Sequence, residues 1–225
     1  MSMVTNLGWR QSVSAVCGLL AGPVMYLAIG AAVLAQPAGF SIVHHENSDL
    51  GAMTASKAWI DNQLGSNLPG LLLLVFAIGL RRSLGSRRSG RIGSALVGVV
   101  GAGIFLSGFF RIDCRHIDGA CDPNASWHAV AHNITGGVTV IGLVLAPFVV
   151  ARALKSIPEW RDLRVLTLVF GGGTIAAAVV GGAVGDGLAS LLAALVWFVW
   201  IVILAVRMLR LAPAASGVEV RQAGT

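Results

Sequence analysis

Six stretches of nearly unbroken hydrocarbon, each about as long as a bilayer core is thick, restrict this chain to very few folds. They lie at residues 13–34, 58–80, 92–110, 128–154, 165–184 and 188–206. A helix needs about 20 mostly apolar residues to cross the hydrocarbon. No water is available there to satisfy backbone N–H and C=O groups, so only helices and closed barrels cross. Barrel strands are alternating segments of about 10 residues, roughly half the length of these runs. The sequence therefore predicts an all-α integral membrane bundle of six transmembrane helices. Composition agrees: 56% of the 225 residues are hydrophobic and 12% charged, against about 25% charged in soluble domains.

Arginine placement predicts the orientation. Arg81, Arg82, Arg87, Arg88 and Arg91 fall between spans two and three, and Arg152, Lys155, Arg161 and Arg164 between spans four and five. With Arg10, Arg207, Arg210 and Arg221, 13 of the 16 basic residues lie on one side; Lys57, Arg111 and Arg115 lie on the other. By the positive-inside rule both termini and both arginine-rich loops are cytoplasmic. The expected division is a cytoplasmic N-terminal segment at 1–12, a six-helix transmembrane domain at 13–206 and a cytoplasmic tail at 207–225, in a multi-pass protein of the cell membrane. Both ends, 1–10 and 212–225, read as mobile.

The net charge of +6 acts here as a topological signal laid against anionic membrane lipids. No aromatic-and-basic stripe accompanies the arginines, so no nucleic-acid partner is expected.

The remaining titratable groups partition the opposite way. All five histidines and seven of the ten acids map to the arginine-poor side. Counting from the arginine anchors, Asp61 is 20 residues from Arg81, Asp113 is 22 from Arg91, His132 is 20 from Arg152, and Asp186 is 22 from Arg164. At about 1.5 Å per residue, each gap is about one hydrocarbon thickness. Four spans thus bring a carboxylate or imidazole to nearly one plane. For Asp61 and Asp186 an equally good explanation is solvation of helix ends.

His128 and His132 stand one helical turn apart, a spacing that lets two imidazoles share a metal. Asp113 lies at similar depth, and His44, His45, Glu46 and Asp49 in the first outer loop are further candidates. Zinc or another divalent ion held by His128, His132 and Asp113, with His44 or His45, would turn bound water into a hydroxide nucleophile near neutral pH. In that reading Asp49 and Asp113 are the catalytic carboxylates, and the substrate is a lipid or other amphiphile. Without a metal, His132 and Asp113 could relay protons for transport of a small solute. In a third reading the polar ring is structural and the chain is a non-catalytic membrane partner or sensor. A homo-oligomer would supply bulk that six spans lack for transport.

Cys114 and Cys121 enclose six residues of the second outer loop. A disulfide on the oxidising side is the expected state, with zinc ligation by Cys114, His116 and Cys121 as the alternative. Cys17 reads as a small buried hydrophobe. Trp59, Trp127 and Trp160 fall near span ends, where indoles anchor at the interface, and Trp197 and Trp200 lie within span six. Gly98, Gly101 and Gly103, with Gly171–Gly173 and the Gly181/Gly185 pair, form small-residue surfaces that let helices approach. Pro23 and Pro69 are expected to kink or begin helices.

Three segments carry a family resemblance. "NSDLGA" at 47–52, "LSGFFRIDC" at 106–114 and "WHAVAHNITGG" at 127–137 resemble recurring patterns of a bacterial six-span membrane family, domain of unknown function 998 (DUF998). The similarity covers about residues 11–210. It implies a six-helix integral membrane protein and draws attention to Asp49, Asp113, His128 and His132, without supplying an activity. A looser similarity is to membrane ceramidase-type hydrolases, which set an HxxxH pair beside a further His, an Asp and a Ser around zinc. It would draw in Ser48 or Ser107.

Overall fold

The computed structural model describes the backbone over residues 3–222 and side chains over 8–212. Six long helices run through it: α1 (Met3–Leu34), α2 (Leu68–Ser83), α3 (Arg88–Ser107), α4 (Trp127–Leu154), α5 (Leu163–Gly182) and α6 (Asp186–Gln222). No strand occurs among the described residues. All six helical segments are long and apolar enough to cross a membrane, and the second span begins at Ile60, ahead of α2. The ends of α3, α4 and α5 fall within a few residues of the predicted spans, whereas α1 begins earlier, at Met3, α2 begins later, at Leu68, behind a widened turn, and α6 runs on to Gln222. The expectation of mobile ends falls largely outside the residues whose side chains are described.

Each helix packs against the next in sequence, and α6 returns to α1, closing a six-membered ring. One short signal sets the start of α4: Ser126 has extended backbone and its side chain accepts from the Ala129 N–H at 3.3 Å, satisfying a donor that the first turn leaves free. Pro23 and Pro147 are carried inside α1 and α4, and Pro69 sits in the first turn of α2.

The ring is not filled uniformly. From mid-depth towards the arginine-rich end its interior is solid. Phe76 and Leu80 of α2, Val150 and Leu154 of α4, and Trp197, Trp200 and Leu204 of α6 are all fully buried in one cluster. The Trp200 indole N–H reaches Thr167 Oγ1 at 3.3 Å, whereas the equally buried Trp197 indole N–H has no partner among the described residues. Trp197 and Trp200 are thus packing bulk rather than lipid-facing. Trp160 corrects the sequence reading: its side chain is 1% exposed and joins the same cluster, because the turn Pro158–Trp160 folds it beneath the bundle. Trp59 and Trp127, 52% and 67% exposed, suit the interfacial role. Cys17 is half-buried rather than buried.

Apolar side chains gain little from leaving lipid for one another, so close backbone approach and van der Waals fit hold such helices together. One such close approach is between α2 and α3. A Cβ added to Gly70 would overlap the Phe105 backbone nitrogen and the Gly101 carbonyl oxygen, neither of which can swing aside. Gly70→Ala should therefore lower stability by about 1–3 kcal/mol, whereas Gly172→Ala, with nothing within 4 Å, should be neutral. Thermal unfolding of the two variants in detergent measures the difference.

Candidate functional site

Pro69 shapes the polar end of span two. It has no N–H to donate, and its ring crowds the carbonyl four residues back. The chain resolves this with a widened turn over Ile60–Asn67, in which the Leu68 N–H bonds the Gln63 carbonyl five residues earlier. Such π-helical turns recur at functional sites. Here the turn buries two successive polar residues, Asp61 at 9% and Asn62 at 6% exposure, on the inside of the ring. Asn67 donates to the Phe105 carbonyl at 2.6 Å and fixes the turn against α3.

A second element roofs this one. The short turn Asn47–Gly51 lays its backbone on the widened turn, and Asn62 Nδ2 donates to the Gly51 carbonyl at 3.0 Å. Gly51 is required by space: a Cβ there would overlap Asn62 Oδ1 and come within 2.9 Å of Asp61 Oδ2. Leu50 is fully buried beside Ile29 and Ala32 of α1. The first loop is also stitched to the segment after α3, since the Met53 N–H bonds the Ile112 carbonyl at 3.1 Å.

Between these pieces lies a cavity of about 270 Å³. Asp61, Asn62 and Ser66 line it from span two, Asn47 and Ser48 from the roof, Ser107 and Arg111 from the end of α3 and beyond, and His132 and Thr139 from α4. No hydrogen-bond donor among the described residues reaches the Asp61 carboxylate. Asn47 Oδ1 is likewise buried without a donor, although its Nδ2 bonds Ser190 Oγ at 2.7 Å. Arg111 is exposed and has no carboxylate partner among the described ion pairs. His132 Nδ1 meets the Phe110 carbonyl at 2.7 Å. A carbonyl only accepts, so Nδ1 carries the proton and Nε2 is left as the acceptor in the neutral ring.

The residues singled out in the sequence divide sharply. His132 is in the cavity lining. His128 is exposed and stacks on Trp127 with ring centroids 3.6 Å apart. Asp113 turns away to the start of α4, where its Oδ2 accepts from the Ser126 N–H at 2.7 Å. That contact explains its lowered pKa: hydrogen bonds from the Ser126 side chain and backbone favour the carboxylate. Asp49 is fully buried beside the cavity, with Oδ1 accepting from both the His116 backbone N–H at 3.1 Å and His116 Nδ1 at 2.7 Å, and Oδ2 unpartnered. His45 Nδ1 accepts from the Ser41 N–H at 2.9 Å, and His44 packs against Gly185 at the start of α6.

The ligand set expected for zinc is consequently not assembled. Among the described residues no group of three or more His, Cys, Asp or Glu side chains is arranged to hold a metal ion. The physical reason is competition: Trp127 takes His128, and the free amides at the head of α4 take Asp113. The polar residues that do converge, Asn47, Asn62, Ser66 and Arg111, were missed in sequence because uncharged and basic groups were not counted in the acid-and-histidine plane. The signal was there in "DNQLGSN" at 61–67, a polar run inside an apolar span and two residues short of a proline.

Cys114 and Cys121 form a disulfide with Cα atoms 6.4 Å apart. Within the same loop Arg115 grips Asp118 through Nη2 at 2.6 Å and Nε at 3.0 Å, and Thr54 donates to Asp118 as well. The Arg115 bonds foremost, then Thr54, hold the Asp118 carboxyl down at about 2. For His116, burial alone would lower the pKa, but the hydrogen bond and charge of Asp49, helped by Glu46, outweigh it and raise the pKa above 6.5.

Two outcomes follow for this loop. Replacing both Cys114 and Cys121 with Ser should cost about 2–3 kcal/mol, from the short loop closed, and reductant should bring the wild type down to the variant in thermal unfolding. The His116–Asp49 tether contributes fully below pH about 6.5 and is lost as pH rises through the raised His116 value. Because His116 is 41% exposed, the effect should be no more than about 1 kcal/mol, seen as a decline in melting temperature above neutrality that His116→Gln abolishes.

No curated protein and no solved structure matches the chain. A family model described as "Protein of unknown function (DUF998)" matches residues 19–207. The three segments that carry the resemblance, "NSDLGA", "LSGFFRIDC" and "WHAVAHNITGG", all contribute residues to the one cavity. With most of its length matched, the chain belongs to the DUF998 family.

Proposed function

We propose that this membrane protein binds a small zwitterionic solute in the cavity at its arginine-poor end and couples its movement to protons. The observation that carries this reading is the Asp61 carboxylate, buried within a span, without a donor, and lining the same cavity as His132. An unpaired carboxylate in such a place is costly, and ionisable groups inside membrane spans mark solute and ion pathways. A ligand ammonium would find Asp61 and Asn47 Oδ1 as acceptors, while its anionic group would meet Arg111. A cavity of about 270 Å³ suits an amino acid or a betaine.

Asp61 can be neutralised by a proton or by the ligand's cation, and the two compete for one carboxylate. That competition is the coupling: ligand entry releases the proton, and His132 Nε2 is the acceptor available in the same cavity. The arginine-rich end is taken as cytoplasmic, which places the cavity and the Cys114–Cys121 pair on the extracytoplasmic side of the cell membrane.

A second reading, hydrolysis of a lipid or amphiphile, draws on the His132–Phe110 bond, which presents Nε2 as a general base. Its metal-assisted form with zinc needs a ligand set that the described residues do not bring together.

Purified protein tested against a panel of amino acids, betaines and simple amines decides the matter. A zwitterion at 100 times its dissociation constant should stabilise the fold by about 2.7 kcal/mol. Asp61→Asn should abolish that shift and the ligand-driven pH change in proteoliposomes, His132→Gln should keep binding but weaken proton release, and Asp113→Asn should retain both. Stabilisation that survives Asp61→Asn would overturn the proposal; ester turnover lost with His132→Gln would favour the second reading.

A further inference from the structure

The opposite end of the bundle holds a larger cavity, a cleft of about 1000 Å³ between the last turns of α2 and the first turns of α3. Four arginines surround it, Arg81 and Arg82 from α2 and Arg88 and Arg91 from α3, over a floor that includes Ile78, Ile92 and Ala95. No acidic residue lines it among the described residues. Among the described ion pairs none involves these four guanidinium groups, and only Arg81 is engaged nearby, through the Gly85 carbonyl at 2.6 Å. Arginines that served solely as topological marks would need only to lie in the loop. These are gathered round a cavity.

We infer that this cleft is a binding site for one anionic glycerophospholipid of the adjacent leaflet, its phosphate held by the arginines and its chains lying in the apolar floor. Three observations favour that occupant. Guanidinium pairs match phosphate oxygens in geometry and charge, and basic pockets between helices at the cytoplasmic end of a bundle suit anionic headgroups. The start of α3 lacks an anion of its own: it has no acidic residue in the first turn and no side-chain cap, while Arg88 sits at the end where the helix dipole disfavours a cation. A phosphate there corrects both. Finally, a second groove of about 210 Å³ between α1 and α2 shares Ile78 and Arg82 with the first. Arg82 therefore stands between two apolar channels, an arrangement that fits a headgroup with two acyl chains and gives a free phosphate nothing extra.

The inference draws nothing from the zwitterion cavity at the other end. It is tested with the full chain, delipidated in non-ionic detergent and titrated with phosphatidylglycerol, phosphatidylcholine or inorganic phosphate, reading bound lipid by native mass spectrometry and thermal shift. Phosphatidylglycerol should bind at least about tenfold more tightly than phosphatidylcholine, and inorganic phosphate should give no comparable shift. The double variant R82Q/R91Q should bring the two lipids within about twofold, whereas R152Q/R164Q, which removes arginines at the same end but outside the cleft, should keep the preference. Ala95→Trp should fill the floor and weaken phosphatidylglycerol binding with every arginine in place. Equal binding of the two lipids by the wild type, an unchanged preference in R82Q/R91Q, an equal loss in R152Q/R164Q, or a full shift from inorganic phosphate would each overturn it. Should R82Q/R91Q fail to fold, the wild-type comparison and Ala95→Trp decide.

Discussion

Hydrocarbon cannot solvate a polar group, and that single restriction organises this molecule. It forces the six crossings to be helices, and it leaves polar side chains within them only two places to go, the bundle interior or the ends. Span two uses the interior. The widened turn ahead of Pro69 directs Asp61 and Asn62 inward together, and the remaining elements at that end are arranged to receive them. The roof at Asn47–Gly51 supplies a carbonyl for Asn62 and clearance for Asp61. The end of α3 supplies an anchor for Asn67.

The two ends of the ring then diverge in character. At the arginine-rich end large aromatic and aliphatic side chains close the interior, and the openings that remain face outward between α1, α2 and α3. At the other end the interior itself is open, with hydroxyl, amide, carboxylate, imidazole and guanidinium groups set among aliphatic side chains such as Met25, Ile29 and Ile104. A protein whose fold alone mattered would gain by filling that space with leucine, since a partnerless buried carboxylate destabilises and a cavity forfeits contacts. In the proposed reading a bound ligand offsets both costs.

Sequence reading captured the crossings well because apolar length is an additive, local property, and six runs of adequate length admit few arrangements. It also pointed to the end that holds the interior cavity, since histidines and acids segregate away from the arginines. It erred on which of them meet. His128 and His132 are offset by about 40° around the helix and about 6 Å along it, and at the head of α4 that offset is enough for Trp127 to claim one ring while the cavity keeps the other. Asp113 looked equivalent to Asp61 by depth, yet one is engaged by the Ser126 backbone N–H and the other by no donor among the described residues. Such choices depend on what lies across the bundle, and no local pattern records that. Trp160 shows the same limit: its position near a span end was right, and its burial under the ring was decided by the turn that follows α4.

The ceiling over Asp61 is built from loops that are remote in sequence. Asn47–Gly51 follows the first crossing, and its fastenings, the Ile112 carbonyl and His116, precede the fourth. The same loop, at Val43, accepts from the Leu188 N–H at the sixth. The chamber therefore cannot exist in a half-inserted chain. The compartment around the carboxylate is complete only when the segment after α3 and the start of α6 have both docked against the loop that follows α1.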